Sequence, residues 1–414
     1  MGKDKHIPQG YKDSSLGIIP KEWEVKRLGD LCNNKGDYGL NAPATDFSID
    51  LPTYLRITDI DNNGKFIHVD KKSVNNTLAE NYYLKNGDIV FARTGATVGK
   101  TYLYDKRDGK LVYAGFLIKF SPNPSKLLSY YLKVHTETQN YWNWVSITSQ
   151  RSGQPGINAA EFCSYRIAIP SLEEQKQICS ILQLWDTAIE KQSELIEELT
   201  LRKRALMQKL LTGKKRLPGF SGKWKRMTIK EFAKEVSIKN VKSEDCIVLS
   251  CTKYDGLVPS LEYFGKQIYS NDLRNYKIVP RNHFVYATNH IEEGSIGYQA
   301  NYDKGLISPM YTVFYTDENI VDDSFLFAIL KSHHLIYLYQ SMMEGSINRR
   351  GGLRWDSFST IKIDLPPLNE QKSISAFIKD LDKEIELANE KLAKLKSQKR
   401  GLMQQLLTGK KRII

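Results

Sequence analysis

The chain has 414 residues, a length that exceeds one ordinary hydrophobic core and favours two or three domains. Hydrophobic residues make up 41% and aromatic residues 11%, which excludes a wholly disordered protein. The formal net charge of +13 is typical of a protein with a polyanionic partner such as nucleic acid, although charge alone is weak support.

The cysteines and the apolar runs indicate a cellular compartment. Five cysteines are an odd number without a CxxC pair, which favours reduced structural thiols over a disulfide framework or a zinc site. The first eight residues are polar and lack the apolar core of a signal peptide. No apolar run approaches the roughly 18 residues that a membrane span needs. We therefore expect a cytoplasmic protein with no membrane partner.

The first predicted element is a mixed α/β block over residues 1–170. It opens with a tryptophan in the amphipathic stretch Lys21–Leu28. Short β-rich runs bounded by turn residues follow, such as Tyr54–Thr58 and Asn86–Ala92. The block closes on Phe162–Ile169, a phenylalanine and a β-like run that lead into proline. The pattern predicts short strands joined by turns.

The second predicted element is one long helix over residues 171–213. Ser171 with Glu174 three residues later forms a capping box, and Gly213 suits a left-handed cap at the other end. At 1.5 Å per residue, a helix from Glu173 to Leu211 is roughly 58 Å long. Its apolar seam steps by four and three, the coiled-coil period, and needs a partner helix. The seam comprises Ile178, Leu182, Trp185, Ile189, Gln192, Ile196, Leu199, Lys203, Leu206 and Leu210.

The third predicted element, residues 214–366, repeats the frame of the first block. A tryptophan opens it within Lys223–Ile229, and a phenylalanine with a β-like run closes it in Phe358–Leu365. Between these shared edges the two blocks differ greatly in sequence. We therefore expect a second mixed α/β domain of the same kind with different surface residues.

The last predicted element, residues 367–414, is a second copy of the long helix. The sequence that begins at Pro170 returns from Pro366, at an offset of 196 residues and without a gap. Two such copies indicate a duplicated half-molecule rather than a solenoid. A pseudo-twofold arrangement follows, in which the two helices form an antiparallel coiled coil. Asn369 is the better start cap in this copy, and Gly409 suits the end cap.

Two further features recur in both helices. Lys203 and Lys399 interrupt the apolar seam at equivalent positions. Such a lysine could set the register, but the favoured interpretation is a side chain that extends its amine to solvent near the helix end. The basic clusters Lys214–Arg216 and Lys410–Arg412 suit the negative end of a helix dipole, or a contact with DNA or a partner. Both interpretations of the clusters stay open.

The alternation of variable blocks with duplicated helices resembles the specificity subunits of type I restriction-modification systems. Both helices carry L-x-E-Q-K near the start and L-M-Q-x-L-L-T-G-K-K-R at the end, and Gly87–Lys100 reads GDIVFARTGATVGK. The match covers essentially the whole chain. The second block departs from it, because Tyr286–Gly297 has no arginine where Arg93 stands, so the role of Arg93 is not carried over.

The resemblance implies two target recognition domains, residues 1–170 and 214–366, that each bind one half of a split site in double-stranded DNA. Residues 171–213 and 367–414 would hold these domains apart as an antiparallel coiled coil and dock two modification subunits. Those subunits bring S-adenosylmethionine and methylate adenine, while restriction subunits add translocation and cleavage that depend on ATP and Mg. The chain itself is expected to hold no cofactor or metal and to be no enzyme.

Two alternatives belong to other classes of protein. The first is a nucleotide-binding enzyme that uses the loop 95–101, but such a loop needs glycine where Thr94 stands and a helix after Lys100. We prefer a glycine-rich hairpin that brings Lys100 near a phosphate, with a plain tight turn almost as well supported. The second alternative is a coiled-coil scaffold whose basic charge is incidental. Leu365–Leu368 lacks the residues that clamp a flipped adenine in methyltransferases.

Candidate DNA-binding residues follow from the pairing of side chains with bases. Arg or Lys suits guanine and Asn or Gln suits adenine in the major groove. We therefore expect the polar loops of both blocks, as sets, to contact bases and phosphates. Their candidate residues are Arg93, Lys100, Gln150, Arg151, Gln154 and Asn158 in the first block, and Asn289, His290, Asn348, Arg349, Arg350 and Arg354 in the second.

Overall fold

The computed structural model describes residues 7–244, 246–344 and 352–413. It divides into two compact units, the first made of Met1–Ser193 with Glu390–Ile414 and the second of Glu194–Asn389. Each unit combines one mixed α/β block with a part of each long helix. The predicted fold class, two α/β domains with two long helices, is confirmed.

The first block is built from short strands and helices, because turn residues interrupt its sequence every few positions. Its strands are β1 Tyr11–Ser14, β2 Gly17–Pro20, β3 Glu24–Arg27, β4 Asp37–Tyr38, β5 Thr45–Asp46, β6 Thr53–Leu55, β7 Lys72–Ser73, β8 Ile89–Ala92, β9 Thr101–Leu103, β10 Leu111–Tyr113, β11 Leu117–Phe120 and β12 Arg166–Ile169. Its helices are α1 Leu28–Leu31, α2 Ser129–His135, α3 Gln139–Thr148 and α4 Ala159–Ser164. The first long helix, α5, is Leu172–Leu210.

The second block follows the same plan. Its strands are β13 Lys225–Thr228, β14 Ala233–Val236, β15 Leu249–Thr252, β16 Gly256–Pro259, β17 Lys277–Pro280, β18 His283–Ala287, β19 Ile296–Gln299, β20 Lys304–Ile307, β21 Tyr311–Thr316 and β22 Lys362–Leu365. Its helices are α6 Ser260–Phe264, α7 Asp323–Leu330, α8 His333–Glu344 and α9 Trp355–Phe358. The second long helix, α10, is Leu368–Leu407.

Both units contain the same four-stranded antiparallel sheet. Its strand order is β4-β11-β8-β9 in the first unit and β14-β21-β18-β19 in the second. The registers agree, because Leu117 pairs with Ala92 in one sheet and Tyr311 with Ala287 in the other. In each block, the strand after the opening tryptophan also pairs with the last strand, β3 with β12 and β13 with β22. These shared pairings define equivalent positions in the two units.

The remaining sheets differ between the units. The first unit has the order β10-β6-β7-β5 and the hairpin β1-β2, whereas the second has the pairs β15-β16 and β17-β20. Part of this layer is nevertheless shared. Val112 bridges Tyr83 antiparallel and pairs with Tyr54 in parallel, and the equivalent Leu306 pairs with Ile278 antiparallel and bridges Val248 in parallel. The frame therefore extends beyond the common sheet.

The end of one long helix completes the main core of each unit. In the first unit, Met403 and Leu406 from α10 pack in the core that forms around β8, whose four residues are all buried. In the second unit, Leu210 from α5 and Ile374 from the start of α10 lie in the equivalent core. The apolar seams predicted from the coiled-coil period are thus buried, but partly against the α/β blocks.

Within the first unit, the start of α5 lies antiparallel to the end of α10. Arg412 Nε lies 2.6 Å from Glu174 Oε1, and Lys399 Nζ lies 2.7 Å from Asp186 Oδ1. Residue numbers therefore rise along α5 as they fall along the partner segment. The antiparallel pairing predicted from the duplication is present in this unit.

The second unit repeats these contacts at an offset of 196 residues. Arg216 Nε lies 2.5 Å from Glu370 Oε1, and Lys203 is ion-paired with Asp382. Each pair joins one residue from each copy of the repeat. A substitution in one copy therefore needs a compensating change in the other, which explains why both copies keep these residues.

The two seam lysines are ion-paired, so the favoured interpretation that they extend to solvent is wrong. Lys399 also lies 3.1 Å from Glu137, and its side chain is only 9% exposed. Burial lowers the pKa of Lys399, but the carboxylates of Glu137 and Asp186 outweigh it and hold that pKa above its ordinary value. Lys203, beside Asp382, is more exposed. A charged side chain within an apolar seam is stable only where an oppositely charged residue lies next to it. The ion pairs therefore fix the register of the two helix segments.

The start caps of the long helices form in part. The Glu174 amide donates to Ser171 Oγ at 3.2 Å, as the capping box predicts. The Glu174 carboxylate does not close the box, however, because it accepts a hydrogen bond from Trp23 Nε1 at 3.0 Å. In the second copy, the predicted cap Asn369 is wrong, because α10 already begins at Leu368 and the Glu370 and Gln371 amides donate to Pro367 O at 2.9 and 3.1 Å. Glu174 is therefore used for tertiary packing rather than for capping.

The ends of the long helices carry the predicted left-handed glycines, Gly213 at φ 67° and Gly409 at φ 68°. In the basic clusters that follow, Arg216 Nε and Nη2 donate to the two carboxylate oxygens of Glu370 at 2.5 Å each. Arg412 makes the equivalent contact in the first unit. The arginines thus join the helix segments within each unit, whereas the lysines of both clusters are exposed.

Candidate nucleic-acid interface

In the first unit, the glycine-rich segment 93–100 is a hairpin between β8 and β9. Gly99 has φ +85°, and a Cβ there would lie 2.7 Å from Val145 Cγ1, so only glycine fits. Its amide donates to Ala92 O at 2.9 Å. A strand rather than a helix follows Lys100, so the geometry of a nucleotide-binding loop is not formed by these residues. The predicted hairpin is present.

Several backbone amides of this hairpin are hydrogen-bonded within the protein. The Gly95 amide donates to Pro155 O at 3.0 Å, and Lys100 Nζ donates to Ile60 O at 3.4 Å. Lys100 is half-buried. The Lys100 amine is thus held at the hairpin by one long hydrogen bond to the protein.

Arg93 is held at the end of β8 by an aromatic ring. Its Cζ lies 4.9 Å from the centroid of the Tyr38 ring, a cation–π distance. Tyr38 Oη accepts a hydrogen bond from the Ala159 amide at 3.2 Å, which fixes the ring. Among the described residues, no carboxylate is ion-paired with Arg93. An oriented guanidinium with unused donors suits bidentate recognition of a base.

The loop 150–157 folds against this hairpin and brings a second candidate beside Arg93. The Ile157 amide donates to Arg93 O at 2.8 Å. Gln154 Nε2 lies 3.0 Å from the position that a Cβ on Gly95 would take. We define Tyr38, Arg93 and Gln154 as the first-unit surface.

The other candidates in this loop divide into two groups. Arg151 Nη2 donates to both carboxylate oxygens of Glu161 at 2.6 and 2.7 Å, and Asn158 Oδ1 accepts from the Glu161 amide at 2.9 Å as the cap of α4. Gln150 and Gln154 are exposed. Arg151 and Asn158 therefore shape the loop, whereas the two glutamines present their amides to solvent.

In the second unit, Asn289 and Arg354 line one cavity of about 490 Å³. The Leu353 amide donates to Thr288 O at 2.9 Å, which holds this segment at the end of β18. A Cβ on Gly352 would lie 2.0 Å from the same oxygen, so the close approach requires glycine. Lys277, Met310 and Trp355 also line the cavity, which we call the second-unit surface.

The remaining candidates of the second block lie apart from this cavity or are not described. His290 is exposed beside Glu293, with 3.4 Å between Nδ1 and Oε1. Within the described ranges, His290, Glu292 and Glu293 form a group whose ligand atoms lie within 4.8 Å of one another. Exposed acidic groups of this kind are common without an ion, so we assign no metal. Asn348, Arg349 and Arg350 lie outside the described residues.

The sequence analysis missed Tyr38 in the first-unit surface and Lys277, Met310 and Trp355 in the second-unit surface. Tyr38 lies on β4 and Lys277 on β17, in runs that carry no base-reading pattern. Lys277 Nζ donates to Tyr311 O at 2.6 Å, and burial lowers the pKa of Lys277 while Glu235 opposes the shift. Only the strand pairing brings these residues to the candidates, so no local signal could have identified them.

The two surfaces occupy equivalent positions in their units. The contact of Ile157 with Arg93 in the first unit corresponds to that of Leu353 with Thr288 in the second. The first-unit surface offers an arginine, a glutamine and a tyrosine, whereas the second-unit surface offers an asparagine, an arginine and a lysine. One frame thus presents two different sets of hydrogen-bonding groups.

Frame and surfaces together define a class of duplicated DNA-recognition proteins, and comparison with known families agrees. The chain belongs to the family described as type I restriction modification DNA specificity domain, whose model matches residues 20–201 and 222–397. The two matched segments cover most of both blocks and most of both long helices. The duplication seen in sequence is therefore a duplication of the family domain.

Curated relatives match over nearly their whole length. The type I restriction enzyme MjaVIII specificity subunit of Methanocaldococcus jannaschii is 25% identical over 442 residues, which cover 98% of this chain and 98% of the relative. The protein of the same organism named for the specificity subunit of the MjaX enzyme is 26% identical over 436 residues, with 98% and 97% coverage. The similarity includes both blocks and both helices.

Solved structures share the fold. The HsdS subunit from Thermoanaerobacter tengcongensis superposes with a TM-score of 0.52 at 16% identity, covering 96% of this chain and 100% of that one. The S subunit from M. genitalium gives a TM-score of 0.54 at 14% identity, with 94% and 96% coverage. In the described part of the chain, we find no helix with the length and apolarity of a membrane span.

Proposed function

We propose that this chain reads DNA sequence as the specificity subunit of a type I restriction-modification enzyme and catalyses no reaction itself. The observation that carries the proposal is the pair of equivalent surfaces with different polar side chains on one duplicated family frame. Each unit binds one half of a bipartite site. Because the two surfaces differ, the two half-sites differ in sequence.

The first-unit surface contacts bases in the major groove. Arg93 suits guanine, since an oriented guanidinium can donate to N7 and O6 together, and the exposed amides of Gln154 and Gln150 suit adenine. Lys100 contacts a phosphate, which positions the unit without reading sequence.

The second-unit surface contacts the other half-site. Asn289 suits adenine, and the exposed Arg354 at its side suits guanine or a phosphate. The same loops of the sequence contain four further candidates that contact the sugar-phosphate backbone of the DNA. These are His290, Asn348, Arg349 and Arg350. The shared frame explains how such different groups meet the same groove.

The paired helix segments act as a spacer and as docking surfaces for modification subunits. The duplication supports two such subunits, because each unit repeats the same ion pairs and the same exposed lysines. S-adenosylmethionine is held by those partners, and ATP with Mg by restriction subunits. This chain supplies the choice of site, and its partners supply methyl transfer and cleavage.

Reconstitution tests the proposal. The purified chain, a modification subunit, S-adenosylmethionine and genomic DNA of a strain without the system are mixed, and methylated adenine is measured. We expect methylation only when both proteins are present, with DNA binding that weakens by about 0.9 in log K per log salt for each phosphate contact. Methylation by this chain alone, or unchanged methylation by the modification subunit alone, would contradict the proposal.

A further inference from the structure

An exposed hydrophobic side chain occupies a turn beside the first-unit surface. The turn Ala114–Leu117 connects β10 and β11, and the Leu117 amide donates to Ala114 O at 2.8 Å. Phe116 is its third residue, and the side chain is 56% exposed. The residues on either side of the turn are buried, so the phenylalanine is directed outward from a rigid base.

The second unit has the same device. The turn Ser308–Tyr311 connects β20 and β21, and the Tyr311 amide donates to Ser308 O at 3.1 Å. Met310 is its third residue and is 62% exposed. Because Tyr311 pairs with Ala287 as Leu117 pairs with Ala92, Met310 and Phe116 are equivalent positions.

Both turns are hydrogen-bonded to the polar surfaces through their backbones. The Arg93 amide donates to Phe116 O at 3.0 Å, and Thr288 Oγ1 donates to Met310 O at 2.9 Å. Met310 also lines the cavity that contains Asn289. Single exposed hydrophobic residues are ordinary on protein surfaces. Their recurrence at one position, in turns of different sequence, points to a shared contact.

We propose that Phe116 and Met310 each contact the C5 methyl group of a thymine, one in each half-site. That methyl group is the apolar feature that bases present in the major groove, next to the acceptors and donors that arginine, asparagine and glutamine bind. A large apolar side chain beside Arg93 or Asn289 therefore reads the neighbouring thymine by burying its methyl group. The inference rests on the proposed function, because it requires that these surfaces bind DNA.

Deoxyuridine substitution tests this inference, since it removes only the methyl group. The complex of the full chain with its modification subunits is titrated with duplexes of its methylation site, in which thymines are replaced one at a time. We expect one position in each half-site where the replacement weakens binding about fourfold, the effect of removing one buried methyl group. Elsewhere the replacement has no effect.

Two variants assign these positions. Phe116→Ala weakens binding of the unmodified site and abolishes the deoxyuridine effect in the first half-site, while the effect in the second half-site persists and shows that the variant is folded. Met310→Ala does the reverse. Phe47→Ala is the matched control, because it removes a phenylalanine of the same unit that is similarly exposed, at 47%. The Phe47 ring lies 5.2 Å from Lys71 Nζ and is not part of the first-unit surface.

The possible outcomes separate the inference from the proposed function. If the wild-type complex methylates DNA but no thymine is sensitive to deoxyuridine, or if sensitivity survives in both variants, the methyl contacts are refuted while the proposed function stands. If the wild-type complex neither binds nor methylates DNA, the proposed function itself fails before any substitution is made. Equal loss of sensitivity in Phe47→Ala would also refute the assignment.

Discussion

Arg93 shows how one residue is prepared for recognition. The Arg93 amide donates a hydrogen bond to Phe116 O, and the Arg93 carbonyl oxygen accepts one from the Ile157 amide. The guanidinium packs on the Tyr38 ring. A side chain that is already ordered loses little conformational entropy when it binds. The arrangement therefore favours a specific contact with a base over a loose contact with phosphate.

Substitution of Arg93 should relax specificity at a single base pair. Arg93→Ala removes the guanidinium that we propose to bind guanine through two hydrogen bonds. We therefore expect a loss of about 1–3 kcal/mol in binding the methylation site and tolerance of other bases at that pair. Arg93→Lys should also relax it, because an ammonium lacks the planar fork. Maps of methylated adenines from cells that carry each variant measure the change.

Arg107→Ala is the control for charge alone. Arg107 is an exposed arginine of the same unit that is ion-paired with Asp105 at 2.7 Å. Its removal lowers the net charge by the same amount but should leave the recognised sequence intact. An identical relaxation in both variants would mean that Arg93 acts only through charge.

His135 is a residue whose burial makes the first unit sensitive to acid. Its side chain is buried in α2, its Nε2 has no hydrogen-bond partner among the described atoms, and burial lowers its pKa to about 3. The side chain of Gln175 accepts a hydrogen bond from the Leu128 amide at the start of α2, and Gln371 accepts the equivalent bond from the Asp322 amide at the start of α7. His135 follows Leu128 by seven residues, and Ile329 follows Asp322 by seven, so Ile329 is the equivalent residue. An apolar residue is therefore compatible with this position.

The sign of the pH effect follows from this lowered pKa. As the pH falls below about 6.5, histidine takes up a proton in the unfolded chain but not in the folded one, so stability decreases. We expect the wild type to lose about 1 kcal/mol more than His135→Ile between pH 7.5 and pH 5.5. Denaturant unfolding of both proteins measures the difference, and parallel losses would contradict the assignment.

At the scale of elements, the ion pairs of the long helices should differ in strength. Lys399 is nearly buried and faces two carboxylates, whereas the Lys203 side chain is 23% exposed and its partner Asp382 is 55% exposed. Lys399→Met removes a nearly buried ammonium that faces two carboxylates, of which Glu137 keeps Lys133 at 3.2 Å and Asp186 keeps the Tyr130 hydroxyl. We expect a loss of about 2 kcal/mol, while Lys203→Met should cost at most about 1 kcal/mol.

Hydrogen exchange along α5 and α10 measures this contrast locally. Faster exchange around Asp186 in Lys399→Met, with little change around Asp382 in Lys203→Met, is the expected pattern. A larger effect at Lys203 would show that burial does not decide the strength of these pairs.

Helix length should determine the distance between half-sites. Glu198 precedes Lys203 by five residues and Leu387 follows Asp382 by five, so the antiparallel register places them at the same level. Inserting four residues at both positions adds about 6 Å and keeps the ion pairs, so the nonspecific spacer should lengthen by one or two base pairs. The methylated motif measures the spacer.

A single insertion is the control for register. Four residues at Glu198 alone cannot keep both Asp186 with Lys399 and Lys203 with Asp382, so this variant should be less stable than the doubly extended one. An unchanged spacer in the double variant would show that the helices do not set the distance.

The elements also show what sequence can and cannot predict. The antiparallel helices were predictable, because a repeat and a heptad seam are local patterns that imply a partner. The partner Glu137 of Lys399 was not, since it lies 262 residues away and only tertiary packing brings it there. Likewise, the glycine-rich hairpin was predictable from its turn residues, whereas Tyr38 beneath Arg93 depends on strand pairing.

At the scale of the whole molecule, the two compact units have different boundaries from the two copies of the sequence repeat. Residues 390–414 belong to the first unit and residues 194–213 to the second, so each unit is completed by the end of the other copy's helix. All of residues 214–366 lie in the second unit. The second block can therefore be exchanged without removing any residue from the first-unit surface.

The central claim is that the two units recognise their half-sites independently. Its most direct test is a map of methylated adenines in cells that carry the chain with its partner subunits. The wild type should give one asymmetric bipartite motif. A chain whose residues 214–366 are replaced by the equivalent block of a relative should keep one half of that motif and change the other. A motif that is continuous, or whose halves change together, would contradict the account.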